Sequence, residues 1–466
     1  MQTYLDIFRE ICAIPHGSGN TRAISDYCVA FARARGLRVI QEPCNNVIIF
    51  VPGTAGYEDR PPVMIQGHLD MVCAQTADRT RDMTREGLVL HDDGEWLWAE
   101  GTTLGADDGI AVAYALALLD CDVPHPPLEI VLTVEEETGM DGAHALDPAP
   151  LRARTLLNLD TESEGVLTVG CAGGCRADIR WDVSRSAADG TFVRVAVGGL
   201  RGGHSGVEIH LGRANANVLL AQLLAAVGTV RIASISGGEK DNVIPNAAEA
   251  VICVPDADAA YRAIAACGAE LQAAFAGTEP NLQIRAEAVD AADRAFSTAD
   301  SAQIIAMLTT QPNGVQQMCP DIPDLVQTSL NLGTLRCGDV GVTETVSIRS
   351  SVNSEKEALA DRLAAAAQAH GAHIAFHGAY PAWEYRADSP LRDRVSACFA
   401  AMFGYAPKVE VIHAGLECGL LSEKLPGLDA VSMGPEILDI HTTRERLNLA
   451  SAERTWQLVC RVLREM

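Results

Sequence analysis

The first third of the chain places three short apolar runs, at 46–51, 62–66 and 128–133, between segments whose apolar residues recur at helical spacing. A run with no polar face must be covered on both sides, and strands of that kind occur where helices pack on both faces of a parallel sheet. Helical patterns at 4–14 and 21–35, with the Ala- and Leu-rich 109–119, supply the covering layers, and 156–159 reads as a further strand. The fold class predicted is therefore α/β, with a largely parallel sheet in the first domain.

At 466 residues the chain exceeds what one hydrophobic core usually serves, and 48% hydrophobic against 21% charged residues suits more than one core. The character changes near residue 187. A strand-like alternation at 191–197 leads into turn-rich 198–206, helical 213–227 and strands at 232–235 and 247–254. After residue 301 the same kinds of element recur at 326–332, 343–350 and 354–370, which predicts an inserted α+β domain of two similar subdomains. The expected organisation is 1–186 as the first part of one domain, 187–378 as the insert, and 379–466 as the second part, with 377–390 as the return linker.

Acidic residues outnumber basic ones, 61 to 36, for a formal charge of -25. That excess disfavours a nucleic acid or an anionic bilayer as partner. The start, MQTYLDIFREICAIPHGSG, has no continuous apolar core, and no apolar stretch is long enough to span a bilayer, so a cytoplasmic location is expected. Fourteen scattered Cys lack a disulfide or zinc-ribbon spacing and read as reduced thiols.

Acidic and imidazole residues gather where the strand patterns end. In M-I-Q-G-H-L-D-M, His68 and Asp70 are two apart in an extended segment and face the same way, so a ligating His68 with Asp70 orienting it is geometrically plausible. In L-G-A-D-D-G, Asp107 and Asp108 precede a helix. They either cap it or supply, at Asp107, a carboxylate bridging two cations roughly 3.5–4 Å apart. In V-L-T-V-E-E-E-T-G-M, three adjacent carboxylates form either a solvated turn or a division of labour in which Glu137 holds metal and Glu136 takes a proton from water. Asp160, ending L-L-N-L-D, and His441, in L-D-I-H-T-T-R-E, complete a candidate ligand set of His68, Asp107, Glu137, Asp160 and His441. Mixed imidazole and carboxylate donors favour two divalent cations such as Zn2+, with Mn2+ or Co2+ as alternatives, over an all-oxygen Mg2+ site.

Taken in order, G-H-L-D, L-G-A-D-D-G, E-E-T-G-M, N-L-D-T-E and D-I-H-T-T-R-E resemble the co-catalytic metallopeptidases of the M20 family, in particular their aminoacyl-histidine dipeptidase branch. The likeness extends through R-G-G-H-S-G-V-E-I-H, G-R-A-N-A-N, K-D-N-V-I-P, T-S-L-N-L-G and I-H-A-G-L-E-C-G, over nearly the whole chain. The resemblance implies His68 and Asp160 on one cation, Glu137 and His441 on the other, Asp107 bridging both, Asp70 orienting His68 and Glu136 as general base. It makes 1–186 and 379–466 the catalytic domain and 187–378 a lid, with His204 stabilising an oxyanion and Asn242 and Arg349 holding substrate. Asp160 stands where carboxypeptidase relatives tend to carry Glu, which fits the amino- and dipeptidase side. The D-D-K-G common in the family is D-D-G-I here, so no role attaches to its Lys.

The implied reaction is hydrolysis of short peptides, Xaa-His and other unblocked dipeptides, by activated water. Tripeptidase, N-acyl-amino-acid amidohydrolase and aminoacylase activities are the enzymatic alternatives. A binding protein that had lost Glu136 or a ligand is disfavoured because all these positions are filled. No G-x-S-x-G elbow or Walker A string supports serine hydrolase or nucleotide chemistry. The sequence leaves open whether the middle domain mediates a homodimer, and whether Glu417 and Cys418 touch substrate or serve packing.

Overall fold

V-I-I-F-V, V-M-I-Q-G-H and L-E-I-V-L-T form the strands Val47–Val51, Val63–His68 and Leu128–Thr133, the last two buried at every position. In the computed structural model, which describes residues 2–290, 293–320, 322, 324–338 and 341–466, the chain divides into two compact units. The first comprises Met1–Gly170, Tyr385–Val411 and Leu416–Met466; the second comprises Cys171–Glu384 and Ile412–Gly415.

The first unit is built on an eight-stranded mixed sheet. Its strands run, edge to edge, Arg38–Gln41, Val47–Val51, Leu128–Thr133, Val63–His68, Thr155–Asn158, Asp429–Ser432, Val166–Cys171 and Lys408–Ile412. Four central strands are parallel: Val63–His68 lies between Leu128–Thr133 and Thr155–Asn158, and Thr155–Asn158 pairs on with Asp429–Ser432. Arg38–Gln41 with Val47–Val51, Val47–Val51 with Leu128–Thr133, and Asp429–Ser432 with Val166–Cys171 pair antiparallel. The register sets His68 opposite Thr133, and Asn158 opposite both Gln66 and Ser432, so the four central strands finish along one edge. In open α/β sheets that carboxyl edge is where ligands bind.

Helix Ala106–Ala117 is buried at all its positions, which its run of Ala, Val, Ile and Leu permits. It packs on Val63–His68 and on helix Tyr4–Cys12. Close approach requires Gly67, since a Cβ there would lie 2.5 Å from Asp108 Oδ2 and 2.7 Å from Ala111 Cβ. The final helix, Leu449–Glu465, is capped by Asn448 and packs on Pro390–Phe403, and Tyr114 Oη donates to the Ala452 carbonyl at 2.7 Å. A small second sheet in this unit orders Ile437–Leu438, Arg446–Asn448, Trp96–Ala99 and Leu90–Asp92, all antiparallel. The turn between its first two strands carries His441.

The second unit is α+β, on a nine-stranded sheet whose described pairings are all antiparallel. One half contains Gln283–Ala288, Thr191–Gly198, Ala248–Val254 and Arg231–Gly237; the other contains Val326–Cys337, Val342–Ser350, Gly173–Trp181 and His373–Tyr380, with Gly314–Met318 beside Val326–Cys337. The halves join through the pair Gly237 and Leu335. Helices Ala216–Val227, Ala257–Ala274, Thr298–Thr310 and Asn353–Ala369 contribute to one apolar core.

None of the fourteen cysteines is joined in a disulfide. Among the described residues no helix is long and apolar enough to cross a membrane.

Candidate metal centre

Three of the four central parallel strands of the first unit deliver side chains to the shared edge. His68 ends its strand. Glu136 and Glu137 open a short helix just beyond Thr133, and Asp160 follows Asn158 by two residues. Asp107 comes from the start of the buried helix, and His441 from the turn after Ile437–Leu438, where its φ of 60° bends the chain.

Asp107 lies at the middle of the set. Its Oδ1 is 3.1 Å from His68 Nε2 and its Oδ2 is 3.0 Å from His441 Nε2. Asp160 Oδ1 stands 3.7 Å from His68 Nε2, and Glu137 Oε1 stands 2.9 Å from His441 Nε2. Among the described residues, two overlapping groups offer ligand atoms within 4.8 Å of one another: His68, Asp107 and Glu137, and His68, Asp108 and Asp160. For Asp108 the sequence offers a helix cap as one alternative. Here its Oδ2 accepts the His68 backbone N–H at 3.1 Å, fixing the base of that imidazole.

The donor chemistry fits cations. His68 Nδ1 donates to the Asp70 carbonyl at 2.9 Å, which leaves Nε2 as the lone-pair nitrogen turned toward the carboxylates. Burial opposes charge on His68, but Asp107 and Asp160 outweigh it and raise its pKa, and Asp107 and Glu137 lift His441 to about 11. Burial works against ionised Asp107 too, yet the two imidazoles hold its pKa below the usual carboxylate range, while burial pushes Asp160 up to about 6. Glu137 Oε1 is buried and makes no hydrogen bond of acceptable geometry. A cation facing the same lone pairs would satisfy all of these atoms.

Asp70 acts differently from the expected carboxylate brace. Its carbonyl is the hydrogen-bond partner of His68, and its carboxylate, 3.7 Å from that ring, instead accepts the backbone N–H of Glu136 at 3.0 Å, that of Glu137 at 3.4 Å and the Ser18 hydroxyl at 2.8 Å. Asp70 thus ties the His68 strand end to the segment bearing both glutamates. Burial raises Glu136 well above the ordinary carboxylate range, with Asp160, Glu417 and Glu137 adding to the effect.

Beneath the edge lies a buried polar network that the sequence did not reveal. Thr133 Oγ1 and Gln66 Nε2 both donate to Glu417 Oε2 at 2.5 Å, and Asn158 Nδ2 donates to Gln66 Oε1 at 2.5 Å. Glu417, fully buried and pushed up to about 7 by that burial, therefore joins three strand ends through packing and hydrogen bonds. Glu445 was also missed: its buried carboxylate accepts the backbone N–H groups of residues 104 to 107.

His204, Asn242 and Arg349 belong to the second unit. His204 Nδ1 accepts the N–H of Gly206 at 3.1 Å and of Val207 at 3.2 Å, so Nε2 bears the hydrogen in the neutral ring. Burial, then the Arg349 charge, lowers its pKa. Asn242 lies alongside, its carbonyl accepting the Ser205 N–H at 2.9 Å. Arg349 sits opposite Ser329 in the sheet, donates through Nη1 to Tyr380 Oη at 3.1 Å, and has a buried Nε without a partner. His413, 2.7 Å from Ser329 Oγ through Nε2, is driven down to about 3 by burial and then by Arg349. The sequence had marked the I-H-A-G motif without assigning His413, and had given no signal for Tyr380.

Residues 64–465 match the model of Peptidase family M20/M25/M40. The cytosol non-specific dipeptidase of Escherichia coli (strain K12) is 38% identical over 100% of this chain and 98% of its own length. A crystal structure of aminoacylhistidine dipeptidase from Vibrio alginolyticus superposes with a TM-score of 0.92 at 36% identity, covering 99% of this chain and 96% of that one. An aminopeptidase structure from Bacillus cereus, at 16% identity and a TM-score of 0.58 over 99% of this chain and 97% of that one, shares the fold. The chain belongs to peptidase family M20/M25/M40 and is a metal-dependent peptidase.

Proposed function

We propose that the protein is a dipeptidase acting on unblocked dipeptides, Xaa-His among them, with two divalent cations, Zn2+ first and Mn2+ or Co2+ as alternatives. The observation that carries this reading is full-length similarity to two dipeptidases, one named for aminoacylhistidine substrates. His68 and Asp160 would hold one cation, Glu137 and His441 the other, and Asp107 both; the two imidazoles flanking opposite oxygens of Asp107 support that division. When bound, such a pair lowers the pKa of a water and polarises a carbonyl.

The chain's own groups do the rest. Glu136 accepts the proton of the attacking water and delivers it to the departing amine, so no acyl-enzyme forms. Asp70 keeps the Glu136 and Glu137 main chain fixed against the His68 strand end. His204, neutral with hydrogen on Nε2, donates to the substrate carbonyl oxygen as negative charge grows on it. Arg349 takes the C-terminal carboxylate, a reading supported by its unpartnered buried Nε, and Asn242 orients the peptide. Recognition of a free carboxylate favours short substrates. The word cytosol in the name of the E. coli relative supports a cytoplasmic setting.

The test is a cleavage panel of Ala-His, β-Ala-His, a tripeptide and N-acetyl amino acids, run with wild type and Glu136→Gln. Rapid cleavage of the unblocked dipeptides, lost by about 10²- to 10⁴-fold in the variant with metal retained, is expected. Preference for the tripeptide or the N-acetyl amino acids would reject the dipeptidase reading, and an active variant would reject Glu136 as base.

A further inference from the structure

Helix Ala106–Ala117 starts without a side-chain cap of its own. Gly105, preceding it, is left-handed at φ 68°, and Asp107 (φ -79°, ψ 104°) and Asp108 (φ -117°, ψ 28°) depart from helical geometry. The first turn is therefore irregular, closed by the Gly109 N–H to Gly105 carbonyl bond at 3.1 Å, although it carries the carboxylate at the middle of the ligand set. Its leading N–H groups are held from the other end of the sequence. Glu445 Oε2 accepts the N–H of Leu104 at 2.8 Å and of Gly105 at 3.0 Å, while Oε1 accepts those of Ala106 at 2.8 Å and Asp107 at 3.3 Å. Four consecutive donors at a helix start, normally left to water or a local cap, are taken by one carboxylate.

Glu445 also ends the turn that contains His441, just before strand Arg446–Asn448. The same short segment thus supplies the imidazole facing Asp107 Oδ2 and the clamp on the Asp107 main chain. A helix cap alone would not need to come from that turn.

We propose that Glu445 is a positioning residue for the cation pair, locking the 104–107 main chain to the His441 turn so that Asp107 presents one oxygen to each side of the centre. The proposal rests on the metallopeptidase reading. Replacement by Gln keeps the size but sets an NH2 group against two backbone donors, whereas Asp keeps the charge one methylene short.

The experiment uses the full-length, metal-stripped protein as wild type, Glu445→Gln and Glu445→Asp, with Ser389→Ala as a control that removes the cap of helix Pro390–Phe403. Each is titrated with Zn2+ calorimetrically and with Co2+ by visible absorption, and its folding is followed by circular dichroism. Glu445→Gln is expected to bind Zn2+ about 10- to 100-fold more weakly for at least one equivalent, the loss typical of outer partners of metal ligands. Its Co2+ spectrum should change, Glu445→Asp should recover part of both, and Ser389→Ala should melt earlier with an unaltered spectrum. A folded Glu445→Gln with wild-type Zn2+ affinity and Co2+ spectrum overturns the proposal. If Glu445→Gln does not fold, the decision passes to Glu445→Asp, for which wild-type affinity and spectrum overturn it equally. Failure of the wild type itself to bind either ion would refute the metal reading, a result distinguishable from failure of this one.

Discussion

Replacing Gly67 with Ala adds a single methyl at the seam between the strand that presents His68 and the helix that presents Asp107. That methyl would lie 2.5 Å from Asp108 Oδ2 and 2.7 Å from Ala111 Cβ, so strand and helix must separate by about 1 Å to reach ordinary contact. Overpacking of this kind costs about 1–3 kcal/mol. The oxygen that is struck also accepts the His68 backbone N–H at 3.1 Å, and leaving a buried hydrogen-bonding group without its partner costs about 1–3 kcal/mol. Because one displacement produces both effects, a net loss of about 2–4 kcal/mol is expected, equivalent to a fall of roughly 5–15 °C in melting temperature for a unit of this size. The same shift misplaces His68 against Asp107, and misplacement on the order of 1 Å costs about 10²-fold in rate. Thermal melts and dipeptide turnover of Gly67→Ala, beside Gly277→Ala, where an added Cβ meets nothing within 4 Å, measure both effects. A Gly67→Ala protein with wild-type melting and turnover would refute the packing argument.

Glu344 is fully buried in the second unit, and burial raises its pKa to about 8, partly countered by the Gln311 amide that donates to it. A carboxyl with a folded pKa above its unfolded one contributes stability that is complete below the unfolded pKa and is lost as pH climbs through the folded value. The second unit should therefore lose a few kcal/mol between about pH 5 and 8, and Glu344→Gln should flatten that decline in pH-dependent denaturation curves; parallel profiles would contradict it. Arg349→Met should raise KM for a free dipeptide by about 30- to 100-fold and leave kcat nearly unchanged, as expected for loss of a charged fork, with no effect on the dipeptide carboxamide; equal effects on both substrates would remove Arg349 from carboxylate binding.

The parallel centre of the first sheet could be read from sequence because strands such as Val63–His68 and Leu128–Thr133 are buried on both faces and leave uninterrupted apolar runs. His68, Glu136, Glu137 and Asp160 were readable for a related reason: each ends such a run or follows one by only a few positions. Less visible were elements without an apolar signature. Gly173–Trp181 starts with two glycines only two positions after Val166–Cys171, so its place in the second sheet, ahead of the change in character near 187, is not apparent locally. His373–Tyr380 is an edge strand, mostly exposed, and lacks the alternation that marks a half-buried strand, so its end merged with the expected linker. The small sheet beside His441 pairs two- to four-residue strands across most of the chain, as when Arg446–Asn448 meets Trp96–Ala99, and short strands carry no usable period. Glu445 and the Asp70 carbonyl act on backbone groups, whose partners are set by tertiary placement rather than by residue type.

The central claim, that five side chains from distant parts of the sequence hold a cation pair for peptide hydrolysis, is tested most directly by metal content. Metal-stripped protein reloaded with Zn2+ and freed of excess should contain two ions per chain by mass spectrometry, with dipeptide hydrolysis restored in step. Asp107→Asn should fall below two and lose turnover. Full activity with a single ion or none, or an Asp107→Asn protein that keeps both, would contradict the account.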